Sequence, residues 1–186
     1  MSRSNLISSQ GYQRLQQERD WLWRTERPKI TQSVSEAAAM GDRSENAEYI
    51  YGKRRLREID RRLRYLGKRL ELLKAIDPKP DDPSKIRFGA WVWLEDEHEQ
   101  QRVLRIMGTD EHDLHPLYIS LDSPMAKALI GKAVEDEVQV MTPRGVQLWY
   151  PLAISYGQPK GWPQQALIEQ PAQSFLPPDQ AQKPTS

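Results

Sequence analysis

Along residues 56–73 the apolar positions step by three and four. Leu56, Ile59, Leu63, Leu66, Leu70 and Leu73 are set among charged neighbours, so they form one seam down a helix, as in a coiled coil. Upstream, Tyr12, Leu15, Leu22, Ile30 and Val34 also keep helical spacing. Set antiparallel, Tyr12 meets Leu73, Leu15 meets Leu70, Leu22 meets Leu63, Ile30 meets Leu56 and Val34 meets Tyr51. The position numbers of these pairs sum to about 85 or 86, the constant register that an equal rise on two arms requires. The pattern predicts a helical hairpin turning at Gly41-Asp42-Arg43-Ser44-Glu45-Asn46. Two arms of about thirty residues at ~1.5 Å rise make a rod roughly 45 Å long.

Ser8 or Ser9 suits the N-cap of the first arm, which runs towards Ala39. Pro28 interrupts it, removing one backbone bond and clashing with the preceding turn at about 3 kcal/mol unless the helix bends, so a kink is expected over residues 24–27. Ala37-Ala38-Ala39 keeps the arm slim near the turn, and Gly41 can take the left-handed conformation that ends a helix. The second arm is expected to begin around Ser44 to Asn46 and to end near Ile76. The Pro-rich Asp77-Pro78-Lys79-Pro80-Asp81-Asp82-Pro83 then reads as a linker.

From Phe88 the period becomes extended. Ala90-Trp91-Val92-Trp93-Leu94, Arg102-Val103-Leu104-Arg105-Ile106, Leu117-Tyr118-Ile119, Val138-Gln139-Val140 and Gln147-Leu148-Trp149-Tyr150 are strand-like. Thr142-Pro143-Arg144-Gly145 turns the last two into a hairpin. Asp122-Ser123-Pro124 followed by Met125-Ala126-Lys127-Ala128-Leu129-Ile130-Gly131 supplies a cap, a proline at the first helical position, an apolar face and a glycine stop. The expected fold class is α+β in two domains: a long antiparallel coiled-coil hairpin over 1–79, then a small antiparallel sheet with one helix over 80–158. Residues 159–186, rich in Pro and Gln, read as a disordered tail.

A length of 186 residues fits one or two domains. The absence of cysteine excludes disulfides and thiolate zinc sites and suits a reducing, cytoplasmic setting. No apolar run reaches membrane-spanning length and residues 1–10 have no signal-peptide core, so no membrane partner is expected. The net charge of +1 conceals segregation: residues 46–75 hold ten Lys or Arg against four Asp or Glu, a surplus of six. Lys53, Arg54, Arg55, Arg57, Arg61, Arg62, Arg64, Lys68 and Arg69 leave the seam to the leucines and occupy other faces. Local pairs such as Glu58–Arg62 and Asp60–Arg64, worth a few tenths of a kcal/mol each, account for some of them but not for the surplus. Nucleic acid is the expected neighbour.

The expected turn carries two carboxylates, Asp42 and Glu45. A pair at the end of a rod cannot enclose an active site of its own, but it can be delivered into another molecule's. Spacing alone favours a plainer job, with Asp42 as N-cap and Glu45 at N3 satisfying free backbone N–H groups. His98, His112 and His115 lie in acidic stretches that read as flexible, exposed loops, which make poor metal sites. No Ser-His-Asp set and no Gly-rich phosphate loop stands out.

The run Gly41-Asp42-Arg43-Ser44-Glu45-Asn46-Ala47-Glu48-Tyr49, continuing into Lys53-Arg54-Arg55-Leu56-Arg57-Glu58-Ile59-Asp60-Arg61-Arg62, resembles the bacterial Gre transcript cleavage factors, in particular their GreB branch. Phe88-Gly89-Ala90-Trp91-Val92 and Ile119-Ser120-Leu121-Asp122-Ser123-Pro124-Met125-Ala126-Lys127-Ala128-Leu129 resemble the same branch, and the likeness covers roughly residues 6–157 but not the tail. It implies an FKBP-like second domain and a transcription elongation factor acting on backtracked bacterial RNA polymerase. In the family the hairpin enters the secondary channel and stimulates the polymerase's own cleavage of the nascent RNA 3′ end, so the factor is not itself an enzyme. Asp42 and Glu45 would then help retain a Mg²⁺ ion in the polymerase active site, with none held by the isolated protein and Ser44 in support. Lys53, Arg54, Arg55, Arg57, Arg61 and Arg62 would hold the extruded RNA. Leu121, Asp122, Ser123, Pro124 and Met125 would grip the β′ subunit, although Asp-Ser-Pro is equally ordinary helix-start chemistry.

Two other functions compete. A non-cleaving relative would occupy the same channel as a regulator or inhibitor, a job that gives no reason to keep both acids. A prolyl isomerase or chaperone acting through the second domain would leave the rod unexplained. A seam that closes within one chain suggests a monomer.

Overall fold

In the computed structural model, which describes residues 3–41 and 46–177, the first arm is helical throughout but not uniformly α. Strand β1 (Leu6–Ser8) leads into α1 (Ser9–Trp21), which passes into a π-helical turn over Leu22–Glu26 and then α2 (Arg27–Ala39). The amide of Arg27 bonds to the carbonyl of Leu22, one residue farther back than in an α-helix. This widened turn stands where Pro28 was expected to bend the arm. It removes the requirement that the carbonyl four residues before the proline receive a bond that the ring cannot give.

The second arm is α3 (Ala47–Leu72). Leu15, Leu22, Ala37, Ile59, Leu66, Leu70 and Leu73 are buried between the arms. The antiparallel register is the expected one to within a few residues. Tyr12 Oη donates to the Leu70 carbonyl at 3.3 Å. Val34 packs on Gly52, one position from the expected Tyr51, which is exposed. A side chain at Gly52 would collide with Val34 Cγ2, so the glycine sets how closely the arms approach there.

The second arm ends earlier than the sequence reading expects. The helix stops at Leu72, not near Ile76, because Leu73 turns extended (φ −70°, ψ 137°) and β2 (Lys74–Ile76) pairs in parallel with β1. The compact units follow that pairing: one is Tyr12–Leu73 with residues 175–177, the other Lys74–Ser174 with residues 3–11. In the second unit buried Glu111 accepts hydrogen bonds from the Ser8 amide and hydroxyl and from the Gly108 amide, fixing β1 against the loop after β4.

That unit holds a five-stranded sheet of β3 (Trp91–Asp96), β4 (Gln101–Met107), β5 (Tyr118–Ser120), β6 (Val138–Thr142) and β7 (Gly145–Ser155), in the order β5-β4-β3-β7-β6. Its pairings are antiparallel except β4 with β5, which is parallel because the chain crosses over between them in place of a hairpin. The register of β3 on β7 slips between Trp93 and Leu94, where buried Pro151 has no N–H for the ladder. Alternation sends Val92, Leu94, Leu104 and Ile106 to one face, under Ala126 and Leu129 of α4 (Pro124–Leu129). Trp91 and Val103 face the other way.

The other face overturns the disordered-tail expectation for part of its length. Helix α5 (Gln165–Ile168) lays Ile168, 1% exposed, against Trp91, Val103 and Leu117. The amide of Val103 donates to Gln164 Oε1 at 3.2 Å, and the Gln173 amide to the Leu114 carbonyl at 2.8 Å. Low hydropathy misled because a few contacts carry the anchoring: Trp162, Leu167 and Ile168 pack on the sheet, and the Gln164 side chain accepts the Val103 amide. Residues 178–186 lie outside the described residues.

Candidate functional site

Asp42, Ser44 and Glu45 lie outside the described residues; what flanks them is described. On one side α2 ends at Met40, followed by exposed Gly41 at φ +124°, a conformation that glycine takes without strain. On the other, Asn46 is the N-cap of α3, its Oδ1 accepting the Tyr49 amide at 3.1 Å. Its Nδ2 donates to the Ala37 carbonyl on the opposite arm at 2.9 Å. One side chain thus caps one helix and fastens it to the last turn of the other. An aspartate can accept but not donate, which explains why an amide does this work. The N-cap of α3 is Asn46; the capping box expected of Asp42 and Glu45 falls on residues outside the described ones. The sequence places the start of the second arm around Ser44 to Asn46 without assigning the cap to Asn46, for which Asn before a helical run is the signal.

The basic residues of α3 sort into two rows. Arg55 and Arg62, one heptad apart, reach the first arm: Arg55 Nη2 lies 3.3 Å from Glu26, and Arg62 meets Glu18 through Nε at 2.6 Å and Nη2 at 2.8 Å. Asp60 turns to Arg27 at 2.8 Å rather than to Arg64. Glu58 takes Arg54 at 3.3 Å and Arg55 at 3.5 Å. Lys53, Arg57 and Arg61 recur every four residues on the face away from the seam, and Arg64 and Lys68 continue the row. All five are exposed, with no carboxylate partner among the described residues. Of the six residues expected to contact RNA, three therefore stand open to solvent. Arg54 is exposed beside its acid, and Arg55 and Arg62 also clamp the arms.

In the sheet unit, Leu121 and Met125 are partly buried against the core, and Pro124 is exposed. Ser123 caps α4, its Oγ accepting the Ala126 amide at 3.2 Å. Asp122 Oδ2 accepts from the Ser4 amide at 2.8 Å and from Thr109 Oγ1 at 2.7 Å. Burial pushes its carboxyl up, but these donors, with Lys127 and Arg3 nearby, hold it below the usual carboxylate range.

His115 is buried. Its Nδ1 accepts the Leu117 amide at 3.1 Å while Nε2 contacts the Leu167 carbonyl at 2.9 Å, which requires the neutral ring with its proton on Nε2. Burial lowers its pKa, against the opposing pull of the Leu167 and Gln170 carbonyls. Among the described residues no group of three His, Cys, Asp or Glu could hold a metal ion, and no helix is long and apolar enough to cross a membrane.

Residues 5–74 match the family model described as Transcription elongation factor, N-terminal, and residues 80–156 match Transcription elongation factor, GreA/GreB, C-term. A transcription elongation factor GreB of Yersinia pestis is 60% identical over 156 residues, covering 84% of this chain and 91% of its own length. One from Pseudomonas aeruginosa is 56% identical over 151 residues, 81% of this chain and 90% of its own. Among solved structures, GreA factor homolog 1 of Thermus thermophilus aligns over 82% of this chain and 99% of its own at 24% identity, with a TM-score of 0.38.

Proposed function

Because this chain belongs to the GreA/GreB family of transcription elongation factors, on its GreB branch, we propose that it rescues backtracked bacterial RNA polymerase in the cytoplasm. Acting as a single chain, the helical hairpin enters the secondary channel and stimulates the polymerase's own endonucleolytic cleavage of the nascent RNA 3′ end. The factor is not the enzyme; it lends acids to one.

What carries the reading is the cap of α3. Asn46 is the N-cap of α3 and accepts the Tyr49 amide, so the cap position does not account for Asp42 and Glu45. Two carboxylates suit Mg²⁺, which takes one or two from a protein and fills its remaining positions with water and phosphate. They are too few to hold it alone, so the fit is to a site shared with the polymerase. Bound there, the ion supplies activation of water and neutralisation of the leaving oxygen. The chain's own share is to present Asp42 and Glu45 on a stiff support, with the Ser44 hydroxyl available to orient a water. Asn46 ties the start of α3 to the last turn of α2.

Lys53, Arg57 and Arg61, with no carboxylate partner among the described residues, are the members of the basic patch best suited to the extruded RNA, because contact with phosphate need break no pair found there. Leu121 to Met125 would meet the β′ subunit through Pro124 and the exposed edge of the loop, with Ser123 and Asp122 holding its shape. The test is RNA cleavage in a halted, backtracked elongation complex by wild type and by Asp42→Ala/Glu45→Ala. Wild type shortens the 3′ end in Mg²⁺, and the double variant binds without cutting. If both bind and neither cuts, the chain is a channel-occupying regulator.

A further inference from the structure

The hairpin carries a second surface that the tip and the basic row do not use. Trp23, in the π-helical turn of the first arm, is 61% exposed, unusual for the largest apolar side chain on a helix that has a seam available to bury it. Its ring is held from one side, with the Arg27 guanidinium 5.7 Å from the centroid and itself fixed by Asp60. The remaining surface lines an open groove of about 510 Å³ with Arg19, Asp20, Arg24, Leu63 and Arg64. Asp20 is engaged by Arg19 at 2.8 Å. Arg24 and Arg64 are exposed, with no carboxylate partner among the described residues. The groove thus combines an aromatic face, an apolar floor and uncompensated guanidinium groups. Trp23 directly follows the buried Leu22, so a single helical step of about 100° carries its side chain off the seam.

We propose that this groove is a nucleotide-stacking subsite for single-stranded RNA, with one base against the Trp23 indole and its phosphates met by Arg24 and Arg64. Arg64 also belongs to the row of Lys53, Arg57, Arg61 and Lys68, so the groove continues that row without a break. The inference rests on the reading of that row as an RNA contact. Stacking on an aromatic side chain is indifferent to sequence, because every base has a π face. That suits a factor that must act wherever polymerase has stalled. A peptide of the polymerase would also accept an indole, but nothing in the groove selects for it, whereas two open guanidinium groups favour a polyanion.

The test uses the full chain and a fluorescein-labelled single-stranded RNA of about eight nucleotides, with anisotropy read across a salt series. Trp23→Ala weakens binding about tenfold, within the range of one stacked base. It leaves the slope of log affinity against log salt unchanged, because no charge is lost. Trp23→Phe keeps most of the affinity. Arg64→Gln weakens binding and lowers the slope, and it keeps the groove testable should Trp23→Ala fail to fold. If Trp23→Ala binds as wild type while Arg57→Gln/Arg61→Gln is weakened, the stacking subsite is wrong and the basic row stands. If Trp23→Ala loses polymerase affinity but not RNA affinity, the groove is a protein contact and the proposal falls. If wild type binds no RNA, both RNA assignments fall, whereas cleavage by the tip is judged separately in the backtracked complex.

Discussion

The helical hairpin and the sheet unit are stabilised in different ways. The sheet unit buries apolar side chains on both faces of its strands, with α4 over Val92, Leu94, Leu104 and Ile106 and α5 over Trp91 and Val103. Two paired helices have only one seam to bury. The hairpin flanks that seam with ion pairs between its arms, Glu18–Arg62, Glu26–Arg55 and Arg27–Asp60. Such half-exposed pairs contribute only about 0.2–1 kcal/mol each, so their value lies in fixing register. The difference teaches why the charge surplus sits where it does. A slender rod has little interior, and its outer face can be given over to recognition without disturbing what holds it together.

The comparison breaks first at the sheet core. Leu104→Ala, at 1% exposure between α4 and the strands, is expected to cost about 2–5 kcal/mol in denaturant unfolding. Tryptophan fluorescence, which reports largely on the sheet unit, should shift its midpoint while the hairpin's register is unaffected. Smaller and sharper is a pair of glycines on α3. Gly67→Ala meets nothing and should stabilise the hairpin by about 1 kcal/mol. Gly52→Ala drives a methyl into Val34 and should destabilise it despite the same gain in helix propensity. Denaturation followed by far-UV circular dichroism reads both, and equal effects would mean that the arms are not in close contact at Gly52.

The smallest effect is a pH dependence. Burial keeps His115 neutral and its folded pKa below the ordinary 6.5. As pH falls below that value the unfolded chain takes up a proton that the folded ring refuses, so stability of the sheet unit declines until the folded pKa is passed. Denaturant midpoints between about pH 7 and 5 should fall for wild type and stay flatter for His115→Gln. Equal slopes would show that His115 is not the group responsible.

Much of this was legible from spacing. The leucine seam and its mirror determined the hairpin and its register, and alternation located the strands. Other features escaped for physical reasons. Lys74–Ile76 continues an apolar run that looks helical, and only a partner distant in sequence, Leu6–Ser8, makes it a strand. The parallel pairing of β4 and β5 depends on a crossover that local patterns do not encode. Residues 164–173 have the composition of a disordered tail, yet Ile168 alone finds a buried place. At the tip, D-x-x-E spacing suggested a capping box, but Asn46 next along is the better cap because it can donate as well as accept. Nor did charge counting distinguish Arg55 and Arg62, which reach the other arm, from Lys53, Arg57 and Arg61, which do not.

The central claim is that the acids at the turn are lent to the polymerase. The direct measurement is 3′-end RNA cleavage in a backtracked elongation complex, with binding of each protein to the complex measured alongside. Wild type should cut in Mg²⁺, and Asp42→Ala/Glu45→Ala should bind with similar affinity and lose cleavage almost entirely. A double variant that cuts as well as wild type would contradict the account and return both acids to a structural role.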